Sequence, residues 1–385
     1  MRDGLRIFDA DRHVLEPLNL WAEQLEPALR RHAPRLGRLP EAPLEARLER
    51  LGPQGLLPVL PLPEVDGKPL WNHMPEKAWV EFSARSYAQL GRNELLQRPD
   101  VYLAQMDRDG VDMAALFPTY ALLLEGFSPL KPHVATAFAS VYNTWLHGFC
   151  AHAPERLRGV GLISRHEPEA MVAEVRRVAG FGWRAVMVRP NPIGGRLLSD
   201  AAYEPFWSEC ERRSLAVVLH GSGHVYVPSA GADRFDTRFA NHVCAHPLEL
   251  MMGLLALLQG GVLERHPALR IGAMEAGCGW LPYWAWRLDE EYRAVGAEVS
   301  ATIRQLPSSY LRRHCFVSVE PDEPYLADVV RHLPEDRLVF GSDFPHLDHG
   351  EDVLGSLLSL RDVMTESRLR KVLWENPTRF YGVEP

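Results

Sequence analysis

Side chains that could bind a metal ion or exchange protons stand at the ends of most short apolar runs in this sequence of 385 residues. Carboxylates and imidazoles are the usual ligands of Zn²⁺, Mn²⁺ and Fe²⁺ in proteins. A divalent ion held this way activates water or polarises a carbonyl group. The sequence therefore indicates metal-assisted chemistry, provided that the fold brings the run ends together. The side chains are Asp11, His13, Arg189, His220, Glu275, Glu320 and Asp343.

Each of these groups also has an ordinary structural explanation. Alternate residues of a strand point the same way, so Asp11 and His13 could face one ion, but a capping Asp beside a surface His has the same spacing. His220 ends a nearly continuous apolar run and could be a buried core histidine. Asp343 follows Gly341 and Ser342 and could cap the next helix. The combination favours a metal site more than any single residue does.

The elements that would position these groups are eight short apolar runs separated by amphipathic segments. This alternation predicts parallel βα units, which close into a barrel or form an open doubly wound sheet. Residues 9–13 lack the glycine-rich turn of a dinucleotide-binding sheet, so we predict a distorted (β/α)₈ TIM barrel of the α/β class. In such a barrel the C-terminal strand ends meet on one face. The predicted strands are Leu5–Asp9, Met113–Phe117, Leu157–Ile163, Ala185–Arg189, Ala216–His220, Leu269–Met274, Cys315–Val319 and Arg337–Phe340, and the main predicted helices are Pro132–Ala151, Pro168–Ala179, Tyr203–Arg213 and Leu248–Arg265.

Residues 16–98 interrupt the alternation between the first and second strands. This segment is rich in proline, carries helical patterns at 18–31 and 76–90, and contains the bulky residues Trp71, Trp79 and Phe82. We predict one domain over residues 1–385, with 16–98 inserted as a cap over the barrel mouth or as a subunit contact. The insertion explains the excess over the roughly 250 residues of a plain barrel.

Charge and cysteine content limit the classes of partner and compartment. Subtracting 50 acidic from 42 basic residues gives a net charge of −8, and no basic patch indicates nucleic-acid binding. The apolar runs are shorter than the roughly 20 residues of a membrane-spanning helix. Five scattered cysteines without a CxxC pair, and no secretory signal, favour a reduced cytoplasmic compartment.

Several motifs together resemble those of the amidohydrolase-related family that includes amino-carboxymuconate-semialdehyde decarboxylase and γ-resorcylate decarboxylase. The resemblance extends over residues 5–382 and is specific for the family rather than for one reaction. The motifs are Asp9-Ala10-Asp11-Arg12-His13-Val14-Leu15-Glu16-Pro17, Leu116-Phe117-Pro118-Thr119, Tyr142-Asn143, Val188-Arg189-Pro190-Asn191-Pro192, His246-Pro247-Leu248-Glu249, Gly260-Gly261-Val262-Leu263-Glu264-Arg265-His266-Pro267 and Gly341-Ser342-Asp343-Phe344-Pro345-His346.

The resemblance implies a barrel with a single divalent ion held by Asp11, His13, His220 and Asp343. Zn²⁺ is the expected ion, with Mn²⁺ or Fe²⁺ as alternatives. Many relatives carry a histidine after the sixth strand that assists metal-bound water, but here Glu275 stands in that segment. Glu275 would therefore act as a base or as a further ligand.

Other residues are candidates for substrate binding and proton transfer. Arg189 could clamp a substrate carboxylate, or it could pair with the nearby ligand carboxylates. His242 and His246 are four residues apart and would share a helix face, so in isolation they suggest a second metal site. His246 matches a family motif and is a candidate catalytic group, whereas His242 fits a surface position. Asn191, His346 and Glu320 complete the candidate substrate-binding residues.

From these residues we expect a metal-dependent hydrolase acting on a small carboxylated, cyclic or aromatic substrate. Asp343 or Glu275 would accept the proton of the attacking water. The alternative is non-oxidative decarboxylation of an aromatic or muconate-like acid at the same site, with Asp343 protonating the ring carbon. A second alternative is an inactive barrel that only binds. The resemblance also implies a homodimer.

Overall fold

Eight parallel strands form a nearly closed barrel in the computed structural model, which describes residues 1–37, 63–72, 74–75, 78, 96–332, 335–346 and 352–383. The strand order is β1-β5-β6-β7-β8-β9-β10-β11, so a strand's neighbours in the barrel are its neighbours in the alternating part of the sequence. The predicted TIM barrel is confirmed. Strands β1 to β11 are Phe8–His13, Arg35–Leu36, Pro63–Val65, Lys68–Pro69, Met113–Phe117, Leu157–Leu162, Ala185–Val188, Ala216–Leu219, Arg270–Ala273, Cys315–Val319 and Leu338–Phe340.

Helices follow most of the barrel strands and cover the outside of the sheet. Proline, whose fixed φ suits the first turn, is the first residue of five described helices: α2, α4, α5, α8 and α11 below. In chain order, α1 to α15 are Leu20–Gln24, Pro99–Asp109, Tyr120–Glu125, Pro132–Cys150, Pro168–Gly180, Glu204–Arg212, Arg238–Ala245, Pro247–Gln259, Val262–Arg265, Trp280–Val295, Pro307–His314, Leu326–His332, Val353–Ser359, Glu366–Arg370 and Asn376–Tyr381.

Two sequence-based boundaries were wrong. The first strand was predicted at Leu5–Asp9 but runs from Phe8 to His13, because its pairing with β5 resumes after an irregularity between Asp9 and Arg12. Asp11 and His13 therefore lie within the strand rather than after it. The predicted helix Leu248–Arg265 breaks at Gly260 and Gly261, and Gly261 has a left-handed φ of 73°.

The barrel closes between β1 and the segment after β11 through individual main-chain hydrogen bonds. The Asp343 N–H donates to Asp11 O at 2.9 Å, and the His13 N–H donates to Phe344 O at 2.7 Å. Gly341 allows this approach, since a Cβ there would lie 2.7 Å from Asp11 Cβ. This seam brings the first and last strands' polar residues together.

The described part of the insertion packs against the loop that follows β8. Strands β2, β3 and β4 form a small antiparallel sheet, and the chain after it reaches the 221–230 loop. There the Asn72 N–H donates to His224 O at 2.6 Å, and the Tyr226 hydroxyl donates to Pro69 O at 2.7 Å. Most of the segment, including the helical pattern at 76–90 with Trp79 and Phe82, lies outside the described residues, so the cap stays a prediction. No helix of the described residues is long and apolar enough to cross a membrane.

Candidate metal centre and active site

Two histidines present the same ring nitrogen to the centre of the barrel mouth. His13 Nδ1 lies 2.7 Å from Pro118 O, and His220 Nδ1 lies 3.0 Å from Gly221 O. Because a carbonyl oxygen can only accept a hydrogen bond, each Nδ1 carries a proton, and in the neutral ring Nε2 keeps its lone pair. Both rings are fully buried. Carbonyl oxygens that accept from Nδ1 orient metal-binding histidines in this way.

The two Nε2 atoms face carboxylates from three strand ends. His13 Nε2 is 3.2 Å from Asp343 Oδ1 and 3.6 Å from Asp11 Oδ1. His220 Nε2 is 3.6 Å from Asp11 Oδ1 and 3.0 Å from Glu275 Oε2. The structure thus brings together all four predicted metal ligands and Glu275.

A divalent ion fits this cluster. Asp11 Oδ1 and the Nε2 atoms of His13 and His220 are buried and make no hydrogen bond. Leaving such a group without a partner costs about 1–3 kcal/mol each, and one ion would satisfy all three. The potential ligand atoms form two overlapping groups, each within 4.8 Å: Asp11, His13 and His220; and His13, Glu275, Asp343 and His346.

Glu275 and Asp343 adopt an unusual backbone conformation at the strand ends. Their φ angles are +57° and +54°, a left-handed region that non-glycine residues seldom occupy. Hydrogen bonds hold both main chains, since the Glu275 N–H donates to Ser318 Oγ at 3.1 Å and the Asp343 N–H donates to Asp11 O. Strained residues held this firmly concentrate at functional sites.

The ionisable groups of the cluster have shifted pKa values. Burial and the charge of Asp343 raise the pKa of Glu275 to about 7. Burial opposes the ionised form of Asp343, but His346 and His13 outweigh it and hold the pKa of that carboxyl well below its usual range. Burial disfavours the charged form of His220, but Asp11 and Glu275 raise its pKa above the ordinary value. Carboxylates with opposite shifts in one cleft are typical of catalytic sites.

Two further carboxylates fix loops that border this cluster. Asp9 accepts hydrogen bonds from the Ser342 main chain at 2.9 Å and from Ser342 Oγ at 2.5 Å, which ties β1 to the loop of Asp343. Burial raises the pKa of Asp9 to about 6. The Glu16 carboxylate accepts from the main chain of Thr119, Tyr120 and Ala121 at 3.2, 3.0 and 3.0 Å. The opening motif thus supports the site beyond its two ligands.

His346 connects Asp343 to a threonine for which the sequence indicated no role. His346 Nδ1 is 2.7 Å from Asp343 Oδ1, and His346 Nε2 is 3.0 Å from Thr119 Oγ1. The Thr119 hydroxyl donates its own proton to Val14 O at 2.8 Å, so it accepts from His346. Its position two residues after β5 is the signal by which strand-end reasoning could have found it.

His246 lies at the same mouth, at the junction of α7 and α8. Its Nδ1 is 3.5 Å from Glu275 Oε1, and its ring centroid is 4.9 Å from that of His242. The shared face predicted for the two histidines is therefore present. Neither of the metal-ligand groups found among the described residues contains this pair, so the spacing does not mark a second metal site there.

Arg189 binds oxygen atoms of the protein itself. Its guanidinium is fully buried and donates to Leu122 O at 2.8 Å, Ser222 Oγ at 3.1 Å and Ser222 O at 3.0 Å. Burial lowers its pKa to about 10. Both amino groups bind the protein's own oxygens, so these contacts lend the expected clamp no support, and it stays a prediction. Through these contacts Arg189 anchors the loop after β8.

The substrate-binding roles expected for Asn191 and Glu320 stay predictions. The Asn191 amide donates to Pro228 O at 3.1 Å and so anchors the other end of the loop held by Arg189. Glu320 follows β10 and is half-buried, but it belongs to neither potential ligand group of the described residues. Strand-end position alone could not separate these residues from the ligands, because it says nothing about side-chain direction.

Comparison with known proteins agrees with this geometry. The model of the amidohydrolase family matches residues 9–383, so this chain belongs to the amidohydrolase family. The resemblance seen in the sequence and the prediction of an enzyme are confirmed, and the reading of an inactive binding barrel is set aside.

Individual relatives are distant but cover most of the chain. The 2-amino-3-carboxymuconate-6-semialdehyde decarboxylase of Dictyostelium discoideum is 26% identical over 316 residues, which are 82% of this chain and 84% of the relative. An amidohydrolase structure from Mycobacterium avium subsp. paratuberculosis superposes with a TM-score of 0.76 at 20% identity, over 98% of this chain and 100% of the other. The 5-carboxyvanillate decarboxylase of Novosphingobium aromaticivorans, solved with manganese and 4-hydroxy-3-methoxy-5-nitrobenzoic acid, has a TM-score of 0.69 at 18% identity, over 99% and 97%.

Proposed function

We propose that this protein is a metal-dependent, non-oxidative decarboxylase of an aromatic or muconate-like acid. The observation that carries the proposal is the pair of Asp343 and His346, 2.7 Å apart, beside the candidate metal ligands. Decarboxylation needs a proton delivered to the carbon that loses CO₂, and this pair can hold one at that position. The decarboxylase from Dictyostelium discoideum, similar over 82% of this chain, supports the same reaction.

Hydrolysis, the reaction expected from the sequence, has less support. That expectation rested on the absent histidine after the sixth barrel strand. His246 reaches Glu275 from the junction of α7 and α8, with 3.5 Å between Nδ1 and Oε1, so an imidazole is present at this edge after all. The lack of a histidine directly after the sixth barrel strand therefore no longer argues against decarboxylation.

Asp11, His13, His220 and Asp343 would hold one divalent ion. When bound, the ion supplies positive charge that stabilises anionic oxygens of the substrate. The mixed carboxylate and imidazole ligands suit Zn²⁺, Mn²⁺ and Fe²⁺. The manganese in the related 5-carboxyvanillate decarboxylase makes Mn²⁺ the first ion to test, ahead of the Zn²⁺ expected from the sequence.

The chain's own residues would handle the proton and exclude water. Asp343, ionised at rest, would receive a proton from His346 through the contact at Oδ1 and pass it to the ring carbon that bears the carboxylate. The bond from the ring carbon to the carboxylate then breaks, its electron pair restores the ring, and CO₂ leaves. Glu275 and His246 line the other side of the substrate position, and the buried walls keep bulk water away from the reacting carbon.

The test is turnover of 5-carboxyvanillate and 2,6-dihydroxybenzoate by the full chain loaded with Mn²⁺ or Zn²⁺. In D₂O we expect a product that has lost CO₂ and carries deuterium at the former carboxylate carbon, detected by mass spectrometry and NMR. A product that has gained the elements of water would instead establish hydrolysis. If the metal-loaded protein turns over neither acid, both are excluded as its substrates.

The homodimer implied by the family resemblance is a further proposal. Exposed apolar side chains on α7 and α8 support it, among them Phe239 at 80%, Val243 at 58% and Met252 at 46% exposure. Sedimentation velocity of the full chain is expected to give a dimer, and a monomer at micromolar concentration would contradict it.

A further inference from the structure

A cavity of about 230 Å³ lies at the end of the barrel opposite the candidate metal centre. Residues at the ends of α4 and α5 and at the starts of β6 and β7 line it. In a parallel barrel the starts of the strands meet on one face, and the strand ends that carry the candidate metal ligands meet on the other. The cavity is therefore separate from the site described above, and the proposed reaction does not use it.

Three aromatic rings line this cavity in fixed positions. The His147 ring stacks on the Phe181 ring with 4.1 Å between centroids and 7° between planes. The Trp183 ring meets both nearly edge-on, with its centroid 6.3 Å from that of His147 and 5.3 Å from that of Phe181. Gly159 leaves room for the indole, since a Cβ there would lie 2.2 Å from Trp183 Cε2. Aromatic walls of this kind favour another flat ring as the ligand.

A guanidinium lines the same cavity. Arg158 is the second residue of β6 and is half-buried. Its Nε is enclosed by protein, yet it donates a hydrogen bond to no residue that the structure describes. Because arginine stays protonated near pH 7, this N–H is a buried donor of a charged group. Buried donors are nearly always paired in proteins, and a ligand oxygen in the cavity would pair this one.

The charge at this end of the barrel favours an anionic ligand. Arg184, directly before β7, is exposed and lines the cavity as well. Burial lowers the pKa of Arg158, and the exposed Glu155 offsets this effect only in part, so the cation is not compensated by that carboxylate. Arginine binds a carboxylate more strongly than a neutral oxygen, because both partners of the hydrogen bond are then charged.

We propose that this cavity is a binding site for a small aromatic carboxylate. The ring of the ligand packs against Trp183 and Phe181, and its carboxylate accepts from Arg158 Nε. The size agrees, since a cavity of about 150 Å³ binds benzene and the further volume here suits a carboxylate on the ring. The site does not depend on the proposed decarboxylase function, because it lies at the opposite end of the barrel.

The test follows a signal from this cavity rather than from the metal centre. The full, metal-loaded chain is labelled with fluorotryptophan, and the Trp183 resonance in the fluorine NMR spectrum is assigned by its loss in Trp183→Phe. We expect benzoate to shift this resonance saturably and to bind about tenfold more tightly than benzamide, as one charge-assisted hydrogen bond would give. Cyclohexanecarboxylate, which has the charge without the flat ring, should also bind more weakly than benzoate.

Variants separate the carboxylate contact from the ring contact. Arg158→Gln should weaken benzoate binding about tenfold and remove the preference over benzamide, whereas Arg331→Gln, which removes a surface arginine of α12, should change neither. An unshifted Trp183 resonance, or equal affinities for benzoate and benzamide in the wild type, would overturn the site. Should Arg158→Gln not fold, Phe181→Leu decides: it should remove the preference for benzoate over cyclohexanecarboxylate, and a retained preference would contradict the proposal.

A last control separates this cavity from the candidate metal centre. In the double variant His13→Ala and His220→Ala, benzoate should still shift the Trp183 resonance with the wild-type affinity. Loss of the shift there would place the benzoate at the metal centre and overturn the site. Failure of the chain to decarboxylate any acid would remove the proposed function and leave this result unchanged.

Discussion

The seam between β1 and β11 and the loop after β8 hold their polar groups in opposite ways. In the seam, other protein groups orient the side chains, as Pro118 O does for His13 and Asp9 does for the loop of Asp343. In the loop, hydrogen bonds fix the backbone, while the His224 ring makes none. The seam therefore fixes the direction of its side chains, whereas the loop fixes its backbone and leaves the His224 ring without a hydrogen bond.

The largest expected effect comes from removing the two imidazoles of the candidate metal centre. His13→Ala combined with His220→Ala should reduce bound metal from one ion per chain to near zero and abolish turnover, because two neutral ligands of one ion are lost. Metal is measured by mass spectrometry after purification without added ion. His152→Ala, which removes an exposed imidazole, should keep both properties. Full metal content in the double variant would refute the ligand assignment.

Removing the anchor of the loop should be the next largest effect. Arg189→Met takes away a buried cation that donates to Leu122 O, Ser222 Oγ and Ser222 O. Hydrogen bonds from a charged donor contribute about 1.5–3 kcal/mol, so we expect the free energy of unfolding to fall by about 3 kcal/mol. Urea denaturation measures this change. If Arg189→Met leaves stability unchanged and raises KM, Arg189 binds the substrate carboxylate rather than anchoring the loop. Arg331→Met, which removes a surface arginine, is the control.

A smaller effect should follow from the threonine behind His346. Thr119→Val keeps the shape but removes the oxygen that His346 Nε2 contacts at 3.0 Å. Losses of such outer partners typically cost about 10–100-fold in activity or metal affinity, and we expect about tenfold in kcat. Thr119→Ser should restore it, because the oxygen is kept. A valine variant with normal kcat would show that the contact does not position His346.

The smallest effect should come from the contact between the insertion and the loop. Tyr226→Phe removes the hydrogen bond to Pro69 O, which is 2.7 Å long and exposed. The loss should stay below about 1 kcal/mol in unfolding free energy and raise KM a few-fold at most. A large fall in kcat would mean that the insertion acts on the seam as well as on the loop.

Much of the fold and part of the site could be predicted because they depend on local pattern. The run 315–319 was placed correctly by its apolar and β-branched residues, and the helices starting at Pro132 and Pro168 by their proline and amphipathic spacing. Asp11 and His13 were found because a two-residue spacing on a strand is visible in the sequence. The start of β1 was missed because its irregular pairing with β5 is a tertiary feature.

The surroundings of Arg189 and His224 could not be predicted in the same way. Arg189 stands at a strand end as a ligand would in sequence terms, yet its guanidinium turns to the carbonyls of Leu122 in α3 and Ser222 in the loop after β8. His224 lies in a loop without periodicity, where residue type and spacing do not indicate the direction of a side chain.

The sequence by itself determined the barrel, the family and the residue types of a divalent-metal site, because strand periodicity and motif spacing are short-range properties. Only the tertiary structure decided which strand-end residues meet, that His246 reaches Glu275 and that Arg189 anchors a loop. The physical reason is that residues far apart in the chain come together through the closing of the barrel, and their orientation depends on hydrogen-bond partners supplied by other loops.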